Sequence, residues 1–277
     1  MSNQEKSDKT RRVAIVVALS NRSNLTHSEE ISLKHLRHFL GGYDKYVVAP
    51  ESLDVDFPDF GIKRFDDSFF GSIQAHIRLL FNPEYYQAFS DYKFMLTYHL
   101  DALVFSDELE KWCDMDYDFI GPPWVKHQDS PYAGNPRYEG KVGNSGFSLK
   151  KVSSFLEIFA SKQYGIDVEE YWKKYHAHRN LSHRLFYYPK KQMMRLRRYN
   201  NVSWDMATWN RSEELFIVER ASYYNPGFRI APLDQALKFG FECVPRHCFE
   251  LNDRKLPFGC HAWERYDREF WEPYLLA

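Results

Sequence analysis

The chain of 277 residues has no long hydrophobic run, little cysteine and almost no net charge, and each absence removes a class of protein. No stretch approaches the ~18 apolar residues of a membrane-spanning helix. The start, Met1 to Arg12, is polar and charged and lacks the apolar core of an export signal. The four cysteines, Cys113, Cys243, Cys248 and Cys260, form no CxxC pair. A disulfide framework is therefore not expected, and reduced buried thiols are. Cys243, His247, Cys248, Cys260 and His261 do not have the spacing of a zinc knuckle. A formal net charge of -1 argues against a general nucleic-acid binder, so no nucleic-acid partner is expected. Three signatures are also missing. No GxGxxG follows the first apolar run, and neither GxxxxGK[ST] nor GxSxG occurs. Those absences count against a dinucleotide site, a P-loop and an α/β-hydrolase.

What is present alternates between strand and helix. Residues 1–12 read as a disordered tail, and 13–277 as a single domain. Val13 to Leu19 is a β-branched apolar run, suited to a first strand. Thr26 or Ser28 can cap a helix with Glu29 and Glu30 in its first turn, an apolar face from Ile31 to Leu40, and a stop at Gly41-Gly42. Tyr46 to Ala49 reads as the second strand, ended by Pro50; a loop and then the short run Ile62 to Phe65 follow. Phe69 to Phe89 has helical spacing broken at Asn82-Pro83. A strand with Asp101 follows, then a short helix through Trp112 capped by Ser106 or Asp107, and a strand from Tyr117 to Ile120. Residues 125–141 read as a long functional loop. Helices are expected from Val152 to about Ala160 and from Glu213 to Ala221. Short strands are expected near Phe241–Val244 and Cys248–Leu251. This alternation predicts an α/β fold with a mostly parallel, doubly wound sheet flanked by helices.

The informative strand is Tyr92-Lys-Phe-Met-Leu-Thr-Tyr-His-Leu-Asp101. Phe94, Met95 and Leu96 do not alternate with polar residues, which suits a central strand covered on both faces. A lone carboxylate at its end, among Leu100, Ala102 and Leu103, needs a metal, a cation or a cleft. Ligands of open α/β sheets bind outside the carboxyl ends of the strands.

The order of these motifs resembles the nucleotide-sugar glycosyltransferases of the GT-A fold. Their acidic strand end, usually Asp-x-Asp, is similar to His99-Leu-Asp101. Ser72-Ile-Gln-Ala-His-Ile-Arg78 resembles their helix with a donor-contacting Arg. Val142-Gly-Asn-Ser-Gly-Phe-Ser-Leu149 resembles the segment beside the transferred sugar, and Ser212-Glu-Glu-Leu-Phe the acidic motif under the acceptor. Pro257-Phe-Gly-Cys-His261-Ala-Trp resembles the motif whose His completes the metal site. The segments Leu33–Leu40, Val48–Glu51 and Phe258–Trp263 also resemble a bacterial glycosyltransferase-like family formerly labelled as being of unknown function.

The resemblance implies a GT-A-like, Rossmann-like sheet and a divalent cation, Mn²⁺ or Mg²⁺, on Asp101 and His261. It implies donor contacts from Ser20, Asn21, Arg22, Arg78, His99, Asp101, Gly143, Asn144 and Gly146. Glu213 and Glu214 are candidates for a base that deprotonates the acceptor, against the plain reading of acids in a helix's first turn. Trp124 is a candidate for stacking on an acceptor sugar. His99 replaces the first acid of the usual motif, so metal-independent action is an alternative. The expected partners are a nucleotide-sugar donor and a glycan or lipid-linked acceptor, with inverting or retaining chemistry left open. The expected setting is cytoplasmic, at the inner membrane face, in surface polysaccharide synthesis. The alternatives are a nucleotidyltransferase and a non-catalytic sugar- or lipid-binding module. Residues 171–204 contain nine Lys or Arg and no acid, with aromatics interleaved. They read as a helical basic insertion that could touch a membrane surface.

Overall fold

Six residues of alternating inward direction, Val13-Ala-Ile-Val-Val-Ala, form β1 (Val13–Ala18), an interior strand of the main sheet. The computed structural model describes residues 12–276, so residues 1–11 of the expected tail lie outside the described residues. Arg12, read as part of that tail, instead pairs with Glu110 at 2.9 Å and with Asp114. Helix α1 (His27–Leu40) starts at a capping box: the Thr26 hydroxyl accepts from the Glu29 N–H, and the Glu29 carboxylate accepts from the Thr26 N–H.

Strands β2 (Asp44–Pro50) and β3 (Gly61–Phe65) add to β1 in parallel. Helices α2 (Ile73–Leu80) and α3 (Pro83–Gln87) are separated at Asn82, whose side chain caps α3. Strand β4 (Phe94–Tyr98) then pairs in parallel with the other edge of β1. The order of strands reverses there, and in such sheets this switch point opens a crevice at the strand ends.

A short β5 (Leu103–Val104) and α4 (Leu109–Asp114) follow, then β6 (Phe119–Ile120), β7 (Pro123–Trp124), β8 (Lys141–Val142) and β9 (Phe147–Lys151). β9 runs antiparallel between β4 and β6, so the main sheet has the order β3-β2-β1-β4-β9-β6. Helices α5 (Val152–Phe159), α6 (Val168–Tyr175), α7 (Leu181–Met194), α8 (Val202–Thr208) and α9 (Glu213–Tyr224) come next. The chain ends with α10 (Leu233–Phe239), β10 (Gly240–Phe241), α11 (Pro245–Leu251), β11 (Gly259–Cys260) and α12 (Arg268–Trp271). β10, β11 and β5 make a second small sheet, and β7 pairs with β8.

The two-residue period sorts the core. Val13, Ile15 and Val17, with Phe94, Leu96 and Tyr98, pack on Leu33, Leu36 and Leu40 of α1. Ala14, Val16 and Met95 face the other way, toward Tyr85, Tyr86, Phe155 and Phe216. The sheet is therefore covered on both faces, which explains its unbroken apolar strands.

Three local expectations differ from the structure. Cys248–Leu251 is the end of helix α11, not a strand: Pro245 presets the first helical φ, and a four-residue segment does not reveal its own period. Residues Leu233–Phe239, for which the sequence offers no clear period, form helix α10, which buries Ala236, Leu237 and Phe239. Helix α4 is not capped by Ser106 or Asp107. The Ser106 hydroxyl bonds to the Glu108 carboxylate, and Asp107 accepts from the Tyr43 hydroxyl.

Leu96 is fully buried on β4 between its two neighbouring strands. Leu96→Ala should cost about 3 kcal/mol, the transfer term plus the cavity left behind. Urea denaturation checks this; a loss under about 1 kcal/mol would show that the strand is not in the core.

Candidate active site

The chain leaves β4 through a turn that is fastened on several sides. The Tyr98 hydroxyl donates to the carbonyls of Ser32 and Ala102, and the Ser32 hydroxyl donates to the same Ala102 carbonyl at 2.7 Å. The His99 N–H donates to the Gly146 carbonyl at 2.8 Å, and the Trp263 N–H donates to the Asp101 carbonyl at 3.2 Å. Asp101 is thus not a strand residue and not buried. Its side chain is 52% exposed in the turn beyond the strand.

The small second sheet supplies the partners by register. β11 pairs antiparallel with β5, with Cys260 opposite Leu103. The next residue, His261, therefore arrives beside Asp101, and its Nε2 lies 3.3 Å from the carboxylate. β10 pairs in parallel with β11, with Phe241 opposite Cys260. Glu242 therefore follows alongside His261, 3.6 Å from its Nδ1. The His261 N–H donates to the Phe241 carbonyl at 2.9 Å, and Ala262 turns the chain away with a φ of 53°.

The Gly143–Gly146 segment sits behind this pair. The Asn144 amide donates to Glu242 at 2.7 Å, and its oxygen accepts from the Gly146 N–H at 3.0 Å. A Cβ on Gly146 would stand 2.1 Å from His261 Nε2, so only glycine lets the imidazole lie there.

Charge is unevenly shared in the cluster. Desolvation opposes ionisation of His261, but the Asp101 charge and hydrogen bond and the Glu242 carboxylate outweigh it and push His261 up to about 10. Desolvation would raise Asp101, yet His261 holds it well below the usual carboxylate range. His99 goes the other way: desolvation first, then His76 and His261, bring it down to about 3. Its ring lies 5.3 Å from that of His76 and 5.6 Å from that of His261.

His99, Asp101 and His261 could hold a metal ion, since one ligand atom from each lies within 4.8 Å of the others. The fit is supported by His99 Nε2, which is buried without a hydrogen-bond partner. One carboxylate and two imidazoles suit Mn²⁺, and Mg²⁺ less well. Glu242 stands where a carboxylate would orient a ligating His through its other nitrogen.

A cleft of about 600 Å³ opens beside the cluster. Ser20, Asn21, Arg22, His76, His99 and Asp101 line it from the ends of β1 and β4 and from α2. Ser145, Glu213 and Glu214 close it from the far side. The two glutamates differ. Glu213 is buried, with one oxygen accepting from the Ser145 hydroxyl at 2.7 Å and the other 3.2 Å from the ammonium of buried Lys150. At Glu214, desolvation followed by the Glu213 charge outweighs the Ser212 hydroxyl and raises the carboxyl to about 7.

Five expected site residues stand elsewhere. Arg78 is exposed, donates to the Ser68 carbonyl at 2.6 Å and is not among the residues lining the cleft. Trp124 is buried under Tyr132 and Tyr138 of the long loop, with Gly143 against its ring, and offers no stacking face. Gly143 and Asn144 support the site from behind rather than lining it. Gly146 likewise acts through His261. Sequence reasoning missed Glu242, Lys150 and His76. Only His76 carried a signal, as the polar residue on an apolar helix face two positions before Arg78.

The chain belongs to the family described as "Protein of unknown function (DUF5672)", whose profile matches residues 59–261. No curated protein matches it. The solved structures it is similar to include three glycosyltransferases. Galactosyltransferase LgtC, in complex with donor and acceptor sugar analogs, is 14% identical with a TM-score of 0.49, over 95% of this chain and 96% of that one. A glycosyltransferase involved in glycosylation of the major capsid of PBCV-1 is 12% identical with a TM-score of 0.47, over 95% and 98%. The apo-form glycosyltransferase GlyE of Streptococcus pneumoniae TIGR4 is 14% identical with a TM-score of 0.43; the match covers 96% of this chain but only 60% of GlyE.

Glu214 makes a stability prediction. Its folded pKa of about 7 lies above the ordinary 4.5, so the folded chain holds a proton that the unfolded chain releases. Stability should therefore fall as pH rises from about 4.5 to about 7, and the cost persists above that window. Glu214→Gln should raise the melting temperature at pH 8 by about 2–4 °C and leave it nearly unchanged at pH 4. A variant that melts lower than the parent at pH 8 contradicts this environment for the carboxyl.

Proposed function

We propose that this protein is a glycosyltransferase that moves a sugar from a nucleotide-sugar donor to a hydroxyl of a glycan or lipid-linked acceptor. The observation that carries this reading is the cluster of His99, Asp101 and His261 at the end of a central strand, opening onto a cleft of about 600 Å³ with Glu214 on its far wall. That volume lies in the range of small-molecule sites. Strand-end crevices at a switch point are where open α/β sheets take nucleotides.

The roles follow from the surroundings of each group. His99, Asp101 and His261 would hold the divalent cation, Mn²⁺ or Mg²⁺. When bound, such an ion offsets the negative charge that gathers on a departing diphosphate. Ser20 and Asn21, just past β1, offer hydroxyl and amide groups to the nucleotide end of the cleft. Arg22 is held by Glu29 at 2.6 Å and by the Asn24 carbonyl, which fixes its guanidinium at the rim.

Glu213 is engaged at both oxygens, so it positions Ser145 and Lys150 rather than taking a proton. Glu214 is the base. In the transfer, the acceptor oxygen bonds to the anomeric carbon as the bond from that carbon to the diphosphate oxygen breaks. The hydroxyl proton passes to the Glu214 carboxylate.

Thermal shift and donor hydrolysis with a panel of nucleotide sugars, with and without Mn²⁺, test the reading. At least one donor should stabilise the protein and be turned over, and Asp101→Ala and His261→Ala should each abolish the Mn²⁺-dependent part. Silence toward every donor under both conditions would overturn it. With the acceptor identified, kcat/KM should rise with pH through about 7, as Glu214 loses its proton. Glu214→Gln should cost ~10²–10³-fold in transfer and remove that limb while donor binding persists; an unchanged pH profile would reassign the base.

A further inference from the structure

Helix α7 turns its apolar side outward. Only Met194 of its 14 residues is buried. Leu181, Leu185 and Phe186 are 68%, 64% and 78% exposed, and Tyr188 and Met193 are exposed beside them. At 3.6 residues per turn Leu181, Leu185 and Tyr188 fall on one line and Phe186 and Met193 on the next, an apolar arc of roughly 160°.

The opposite side is what anchors the helix. His183 Nε2 meets His176 Nδ1 at 3.0 Å, the Tyr187 ring packs on His176, and Lys191 pairs with Glu169 at 2.7 Å while lying over Trp172. The α6–α7 hairpin is thus held together by polar and aromatic contacts, and the apolar residues of α7 are left for something else.

The charge around the arc has one sign. Residues 171–204 contain no acid. Arg184 and Lys190 flank the arc and are exposed, as are Lys173, Lys174 and Arg179 at the neighbouring end of α6 and its loop. Glu169 of α6 is already bonded to Lys191 and Arg195.

This fringe selects the occupant. A second copy docking through the same face would bring two cationic rims together, because a two-fold interface meets itself. The segment Met1–Arg12 contains no apolar residue apart from Met1 and cannot cover the arc. An anionic lipid surface satisfies both the apolar arc and the cationic rim. No described helix is long and apolar enough to cross a membrane, so contact would be from the side.

We propose that the α6–α7 hairpin docks this protein on an anionic lipid surface. Helix α7 lies in the interface plane with Leu181, Leu185 and Phe186 inserted, and Arg184 and Lys190 meet the headgroup phosphates. This goes beyond the reading of the cleft and does not depend on it.

The test is vesicle flotation of the full chain, with no donor or metal present. Phosphatidylcholine vesicles containing phosphatidylglycerol should carry the protein at low salt, pure phosphatidylcholine vesicles should not, and high salt should release it. Leu185→Glu with Phe186→Glu changes two exposed positions, so its melting temperature should match the parent while lipid binding falls at least about tenfold. Failure to float with the anionic vesicles, equal flotation on neutral ones, or unchanged flotation of the folded double variant would each overturn the proposal. So would a dimer that the double variant converts to monomer, since that would make a second copy the occupant.

Discussion

The contact between Asp101 and His261 joins two parts of the chain that 160 residues separate, and the geometry of the cleft depends on it. It is not a free pairing of surface charges. The register of β5 on β11 brings the imidazole to the turn, and that of β10 on β11 brings Glu242 to its other nitrogen. Asn144 holds Glu242, and Gly146 gives the ring its space. A shift of one residue in either short ladder would turn these side chains to the opposite face and undo the cluster. The small sheet, only two residues long in each strand, therefore has a larger role in the site than its size suggests.

The two neighbouring glutamates illustrate how environment divides one residue type into two functions. Glu213 faces the interior and meets a buried ammonium and a hydroxyl. Removing either partner would leave a buried charge unmatched, which is why such pairs are costly to break. Glu214, one step around the helix, meets the cleft, and the Glu213 charge beside it favours keeping its proton. Two acids placed in different surroundings can thus take different roles in one site.

Away from the cleft, the molecule carries a second organising constraint. Most helices bury an apolar stripe against the sheet, as α1 does with Leu33, Leu36 and Leu40. Helix α7 does the reverse and is held by His176, His183, Tyr187 and the Glu169–Lys191 pair. The basic stretch visible in the sequence is thus a helical hairpin whose exposed side combines apolar groups with cations.

Much of the frame was legible from residue order. The unbroken apolar runs at Val13 and Phe94 announced buried strands, Thr26 with Glu29 announced a helix start, and Asn82-Pro83 announced a break; each is a local signal that the structure obeys. Asp101, His99, Glu214 and the Ser20–Arg22 turn could also be marked in advance, because they sit at strand ends or helix starts. Short elements were not legible: Cys248–Leu251 is helical because Pro245 and its packing decide a run too short to show a period. Nor could local sequence tell that Arg78 and Trp124 do not line the cleft while Glu242, Lys150 and His76 matter to it. Orientation depends on which ladder a residue joins and which neighbours fill the space, as Tyr132 and Tyr138 fill the space over Trp124. The sequence by itself determined the long buried strands, the helix start at Thr26 and the acid at the end of β4. The residues alone gave that acid no partner; the resemblance pointed to His261, and only tertiary structure places it there, through the long-range register of three short strands that no local pattern encodes.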